Sequence, residues 1–95
     1  MLHELKNIIP SIDFGFGTAT KVAQVGETFT VWLSTLYNQD AYSFFLQCEG
    51  SVTNISDYEY EVSYDAEGEY NIQLTVVSGD KKTSLESNVL TVTIV

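Results

Sequence analysis

An alternation of aromatic and acidic residues in the middle of the chain constrains its fold more than any other feature. Between Asp57 and Tyr64, aromatic or apolar side chains occupy every even position, and acidic or hydroxyl side chains occupy every odd one. Successive side chains of a β-strand point to opposite faces, so this spacing predicts a strand with one buried and one solvated face. Helical periodicity is not sustained anywhere in the sequence, which favours an all-β chain.

Other runs with the same period predict further strands. In residues 27–35, Phe29, Val31 and Leu33 share the inward face, which places Trp32 on the outward face. The remaining predicted strands and turns are residues 41–48, 69–77 and 87–95, with turns at 37–40, 65–68 and 79–82.

Two regions give weaker strand signals. A short connection through Val52 and Ile55 is expected before the aromatic–acidic strand. Residues 8–16 are expected to form a broken edge strand, because Pro10 cannot donate a hydrogen bond to a central ladder. About seven short strands of this kind predict an antiparallel two-sheet sandwich. A chain of 95 residues holds one such domain, which we place at residues 8–95 after an N-terminal arm of residues 1–7.

Residues 64–76 carry a resemblance to a known family. The run Tyr-Asp-Ala-Glu-Gly-Glu-Tyr from Tyr64 to Tyr70, followed by an alternating strand, is similar to the late hairpin of PKD-type and related bacterial and phage immunoglobulin-like modules. Residues 25–31 and 90–95 resemble the second and last strands of that family. The resemblance implies an immunoglobulin-like sandwich in which Gly68 adopts positive φ at the turn and the Tyr70 hydroxyl reaches backbone across the corner. Residues 42–51 lack the tryptophan and the Asp-Gly pair of PKD modules.

Composition argues against several classes of function. Thirteen acidic residues against four lysines give a net charge of −9, which repels nucleic acid and anionic lipid. The single cysteine, Cys48, and the single histidine, His3, cannot form a disulfide, a cysteine metal cluster or a well-held catalytic triad. We therefore expect no enzymatic activity, no cofactor and no metal. No run approaches the roughly 20 apolar residues of a membrane span, and no export signal is visible at the N-terminus.

The acidic patch has a simpler interpretation than a metal site. Glu59, Glu61, Glu67 and Glu69 could supply oxygen ligands to calcium, but no loop shows the dense Asp and Asn spacing that a calcium cage requires. We expect a solvated polar face here.

Exposed apolar residues are the candidates for binding. The N-terminal segment is more apolar than a solvated leader. It can be a first strand that pairs with the closing strand, or an arm that docks on a neighbouring subunit. The outward rings can anchor a partner or be covered by the arm or a loop. The candidate interface residues are Leu5, Ile8, Ile9, Ile12, Phe14, Phe16, Trp32 and Phe45.

These features predict a non-enzymatic structural and interaction module. Immunoglobulin-like sandwiches are common as small accessory proteins of phage capsids and tails, and this chain starts with Met and ends at its last predicted strand. We expect a decoration protein of a bacteriophage virion, made in the host cytoplasm, with capsid or tail subunits or a second copy as partner. The alternative is a PKD-like spacer or polysaccharide-binding module of a larger secreted or surface protein, with weak carbohydrate binding.

Overall fold

A computed structural model describes residues 9–37 and 41–95, and that part of the chain contains nine strand segments. They are β1 (Ile12–Asp13), β2 (Thr20–Ala23), β3 (Phe29–Leu33), β4 (Tyr42–Gln47), β5 (Ser51–Ser56), β6 (Glu59–Ser63), β7 (Gly68–Ser78), β8 (Ser84–Glu86) and β9 (Leu90–Ile94).

The segments form two sheets. Sheet I has the order β1-β3-β6-β5, and sheet II has the order β2-β9-β7-β4, with β8 also paired to β7. β1 and β2 are two parts of the first strand position, while β8 and β9 follow one another along the same edge of β7. The nine segments therefore fill seven positions in the order of a constant-type immunoglobulin domain, with strands ABED on one sheet and CFG on the other. The predicted two-sheet immunoglobulin-like sandwich is confirmed.

The predicted inward faces build the core between the sheets. Phe29, Val31 and Leu33 of β3 are buried, and Trp32 points outward from between them. Burial of apolar area at about 25 cal/mol per Å² is the main force that holds the two sheets together. The same alternation supplies the core residues of β6, β7 and β9, which are Tyr60, Val62, Ile72, Leu74, Val76, Leu90, Val92 and Ile94.

Several local predictions differ from the structure. Residues 51–56 form β5 rather than a plain connection, and all six are exposed, so their sequence carries no apolar alternation. The short strands β2 and β8 have no counterpart among the predicted strands. The turn at residues 65–68 joins β6 of sheet I to β7 of sheet II. It is a corner between sheets and not the late hairpin that the resemblance implies.

The first strand also pairs differently from the prediction. Within residues 9–16, strand structure is limited to β1, which pairs with β3 and not with the closing strand. The closing strand β9 instead takes β2 as its parallel neighbour. Between β1 and β2 the chain crosses from sheet I to sheet II, and the three consecutive residues Gly15, Phe16 and Gly17 adopt positive φ there.

A β-bulge between β8 and β9 allows sheet II to form hydrogen bonds with β1 of sheet I. Thr75 of β7 pairs with Glu86, and Ile72 of β7 pairs with Leu90. Three residue steps in β7 therefore lie opposite four steps in the neighbouring strand, which contains one extra residue. In the bulge, the Ser87 hydroxyl accepts the Leu74 N–H at 2.9 Å. The next side chain, Asn88, accepts the Ile12 N–H at 2.8 Å and donates to the Ile12 carbonyl at 3.0 Å. This double hydrogen bond joins the two sheets.

Although it is not a hairpin, the corner between β6 and β7 has the two local features that the resemblance implies, the Tyr70 hydrogen bond and the positive φ of Gly68. The Tyr70 hydroxyl donates to the Ala66 carbonyl at 2.8 Å, and Gly68 has φ +152°, which side chains with a Cβ rarely adopt. The Tyr70 ring stacks on the Tyr64 ring with centroids 4.1 Å apart. The Tyr64 hydroxyl is buried and bonds to no nitrogen or oxygen among the described residues, and the Cys48 thiol beside it is only a weak hydrogen-bonding group. Of the two stacked tyrosines, only Tyr70 therefore uses its hydroxyl in a hydrogen bond to the backbone.

We expect two matched substitutions at this corner to have different effects. Tyr70→Phe removes the hydrogen bond to Ala66 and should lower the free energy of unfolding by about 1 kcal/mol. Tyr64→Phe removes a buried hydroxyl that bonds to no nitrogen or oxygen among the described residues, and should leave that free energy unchanged or raise it. Urea denaturation of both variants measures the difference. An equal loss in both would show that the Tyr64 hydroxyl contributes a stabilising contact.

Buried tyrosines also predict how stability depends on alkaline pH. Burial, with smaller contributions from Asp57 and Tyr58, raises the pKa of Tyr60 to about 12. The folded state thus holds this proton more strongly than the unfolded state, whose tyrosines titrate near pH 10. The contribution of Tyr60 to stability should be constant below about pH 10 and be lost between about pH 10 and 12. Urea midpoints across this range test the prediction, and Tyr60→Phe should flatten the decline. An unchanged slope in that variant would contradict it.

Candidate functional site

The predicted interface residues of the N-terminal segment have different environments. Leu5 and Ile8, like the arm of residues 1–7, lie outside the described residues. Ile9 is exposed, but Ile12 is only 1% exposed. Its pairing with Leu33 directs it into the core. Phe14 packs its edge on the Phe29 ring at 5.7 Å between centroids. Ile12 is therefore a core residue that no partner can reach in the folded domain, contrary to expectation, whereas Phe14 is half-buried against the core and stays a predicted interface residue.

Phe16 projects from the crossing between the two sheets. Its ring is fully exposed, and its own φ is +53°, between two glycines that also have positive φ. The Asp13 carboxylate accepts the Gly15 N–H at 2.8 Å, and the Thr18 N–H bonds back to the Gly15 carbonyl at 3.1 Å. The loop that carries Phe16 is therefore held by its own hydrogen bonds.

Trp32 and Phe45 lie on opposite faces of the sandwich. Trp32 is 41% exposed on the outer face of sheet I. Phe45 is 54% exposed on the outer face of sheet II, opposite Thr75 of β7. The structure confirms that both rings point outward, but it does not bring them together. A partner that binds one face of the domain can use only one of them.

The register of sheet I surrounds Trp32 with acidic side chains. Asp13 of β1 lies opposite Trp32 on one side, and Glu59 of β6 lies opposite on the other. One step along the same face, Thr30 is opposite Glu61. Directly opposed residues have Cβ atoms about 4.5–5.5 Å apart, and diagonal neighbours are within reach of long side chains. We call these five residues, Asp13, Thr30, Trp32, Glu59 and Glu61, the Trp32 surface.

Two carboxylates of the Trp32 surface have no partner among the described residues. The Asp13 carboxylate accepts the Gly15 N–H and, at 3.4 Å, the Ser34 hydroxyl. Glu59 and Glu61 are half-buried, and their side chains make no hydrogen bond or ion pair with any other described residue. Their charges are therefore not neutralised by any other described residue.

The outer face of sheet II carries a different feature. A shallow groove of about 400 Å³ is lined by Gln47, Cys48, Glu49, Asn71, Gln73 and Val89. Two of its amides already have partners within the domain, since Gln73 donates to the Ser87 carbonyl at 2.9 Å and Gln47 donates to the Thr75 hydroxyl. The groove is open and has both polar and apolar lining, and Phe45 lies on the same sheet face.

The described residues contain no cluster of three or more His, Cys, Asp or Glu side chains that could hold a metal ion. Cys48 is a free, half-buried thiol that packs against the core. In the same part of the chain, no helix is long and apolar enough to cross a membrane.

Comparison with known proteins supports the fold. No protein-family model and no curated protein sequence matches this chain. Fibronectin(III)-like modules of CbhA from Clostridium thermocellum are similar, with a TM-score of 0.57, 18% identity, and coverage of 87% of this chain and 93% of that chain. The endo-beta-1,4-mannanase from Thermotoga petrophila has a TM-score of 0.57 and 8% identity over 94% of this chain. This chain spans 20% of the mannanase chain. At such identities the likeness shows the fold alone.

Sequence reasoning missed the acidic members of the Trp32 surface. The alternation places Trp32, Glu59 and Glu61 on outward faces, but it does not show which strands are neighbours. β3 and β6 are separated by two other strands along the chain, so the pairing of Trp32 with Glu59 follows only from the sheet order. The strand order of an immunoglobulin-like sandwich, in which strands B and E are adjacent, is the signal that could have found it.

We expect the Asn88 side chain to control the position of β1 and therefore of Asp13 beside Trp32. Asn88→Asp replaces the amide donor with an oxygen that faces the Ile12 carbonyl, and should lower the free energy of unfolding by about 2 kcal/mol. Asn71→Asp is the matched control, because Asn71 is exposed and its side-chain oxygen only accepts a 3.4 Å contact from Thr91. Urea denaturation with Trp32 fluorescence measures both. Equal, small effects would contradict this role of Asn88.

Proposed function

We propose that this domain is a non-catalytic structural and interaction module that docks on a larger assembly through the Trp32 surface. The observation that carries the proposal is the position of the only tryptophan of the chain, which is exposed on a central strand of sheet I instead of being packed in the core. Tryptophan is enriched among residues that dominate binding energy at protein interfaces. Both β3 and β6 have hydrogen-bonded neighbours on each side, so the surface needs little ordering when a partner binds.

The assembly that we propose is a bacteriophage virion, with capsid or tail subunits as the partner. The resemblance to phage immunoglobulin-like modules supports this assignment. The acidic composition also supports it, because a net charge of −9 keeps a displayed domain soluble and limits self-association. Phe16 is a second candidate contact, since its ring projects from a loop beside the same edge of the domain as β1.

A second candidate function is a spacer or polysaccharide-binding module of a larger secreted or surface protein. The groove on sheet II favours it, because the amides of Gln47, Asn71 and Gln73 line a shallow depression on the face that carries Phe45. Sugar sites combine aromatic rings with polar groups of this type. Binding of this kind would use sheet II and leave the Trp32 surface free.

Docking through sheet I predicts unequal effects of two aromatic substitutions. The tagged chain would be expressed in its host cell during the production of phage particles. The amount of tagged chain in the purified particles would then be measured. Trp32→Ala should reduce incorporation at least about tenfold, since a buried aromatic anchor contributes on the order of 2 kcal/mol or more to binding. Phe45→Ala removes an exposed ring from the opposite sheet and should have no effect.

Other outcomes of this experiment separate the candidates. Absence of the unmodified chain from particles would contradict the virion assignment. Loss of incorporation with Phe45→Ala but not with Trp32→Ala would place docking on sheet II. Binding of the purified chain to a panel of polysaccharides, lost with Phe45→Ala, would support the second candidate.

A further inference from the structure

The Trp32 surface combines an exposed indole with the carboxylates of Glu59 and Glu61, which form no ion pair with another described residue. We propose that it binds an arginine side chain presented by a protein partner, with the guanidinium on the Trp32 ring and its N–H groups directed to Glu59 and Glu61. This inference rests on the proposed docking function and specifies the chemistry that the partner must bring.

The geometry of sheet I suits a flat cation. Glu59 lies directly opposite Trp32, and Glu61 is diagonal to it on the same outward face. A group seated on the indole therefore has carboxylates along one side, and Asp13 lies across the ring on the other side. A guanidinium can stack on an aromatic ring and at the same time donate two parallel hydrogen bonds to a carboxylate.

None of the described residues supplies this cation. Among the described lysines, Lys21 lies over the Phe29 ring at 6.0 Å from its centroid, and Lys81 and Lys82 are in the turn between β7 and β8. No described lysine forms an ion pair with Glu59 or Glu61. The two glutamates are half-buried, and a partner that covers this face would exclude more water and strengthen the attraction between its cation and their charges.

The chain composition indicates that the cation comes from a different protein. The chain has four lysines and one histidine, and the sequence contains no arginine. A second copy would also bring a net charge of −9, which opposes the approach of two acidic faces. A metal ion fits poorly as well, because the described residues contain no group of three or more side chains suited to hold one. A basic partner is therefore favoured by both charge and geometry.

Nuclear magnetic resonance can test the proposal without knowledge of the partner. The ¹⁵N-labelled full chain would be titrated with a short capped peptide in which arginine alternates with threonine. The single indole N–H reports directly on Trp32. The control peptide has citrulline in place of each arginine, which preserves shape and removes charge. We expect the arginine peptide to shift the indole resonance in a saturable manner and the citrulline peptide to leave it unchanged.

A pair of charge-matched variants separates a specific site from general attraction. Glu59→Gln and Glu86→Gln each remove one negative charge, but Glu86 is exposed on β8 of sheet II. We expect Glu59→Gln to weaken binding of the arginine peptide about fivefold, and Glu86→Gln to change it by less than about twofold. Equal weakening by both variants, or no saturable indole shift with the arginine peptide, would overturn the proposal.

The same variants distinguish failure of this inference from failure of the docking function. If Trp32→Ala prevents incorporation into particles while Glu59→Gln does not, the surface docks without an arginine, and only the inference is wrong. If neither substitution affects incorporation, docking does not use sheet I. Stronger binding of a matched lysine peptide than of the arginine peptide would also overturn the choice of arginine.

Discussion

The double hydrogen bond between the Asn88 amide and the Ile12 backbone is the contact on which the rest of this structure depends. Elsewhere the two sheets are joined mainly by apolar packing, which is strong but not directional. The Asn88 amide instead fixes the position of a single residue, because it satisfies both the N–H and the C=O of Ile12. β1 has only two residues, and its pairing with β3 alone would give it little stability. The Asn88 amide satisfies the backbone groups of Ile12 on the edge of β1 that does not pair with β3.

The position of Asn88 follows in turn from the bulge in the last strand. The extra residue between β8 and β9 interrupts the regular pairing with β7, and the Ser87 hydroxyl accepts the Leu74 N–H. Asn88 is then free to bond β1 of sheet I rather than a neighbour in its own sheet. Once β1 is held, Asp13 is fixed opposite Trp32. The Asn88 hydrogen bonds that join the two sheets therefore also hold Asp13 beside the exposed indole.

The alternation of apolar and polar residues was enough to predict the main strands and their inward faces. It assigned Phe29, Val31 and Leu33 to the core and Trp32 to the surface, because one buried face imposes a period of two. It could not predict β5, since strand residues that are all exposed need not alternate. It also gave Ile12 as a docking residue, because an apolar side chain near the N-terminus has the same sequence signal in a core and in an interface. The neighbours of Trp32 depend on which strands pair, and that is a property of the whole chain.

Trp32 and Phe16 differ in how firmly the fold holds them, and this difference favours sheet I for the proposed docking. Phe16 is more exposed, but it stands on a loop whose residues adopt positive φ, and a lone apolar ring selects a partner only by shape. Trp32 lies on a strand that is hydrogen-bonded on both sides, so its position is set before a partner arrives. Its acidic neighbours add a charge requirement, and a partner without a cation would leave Glu59 and Glu61 partly desolvated and unpaired. In the proposed docking, the indole would supply affinity, and the carboxylates would supply discrimination against the wrong partner.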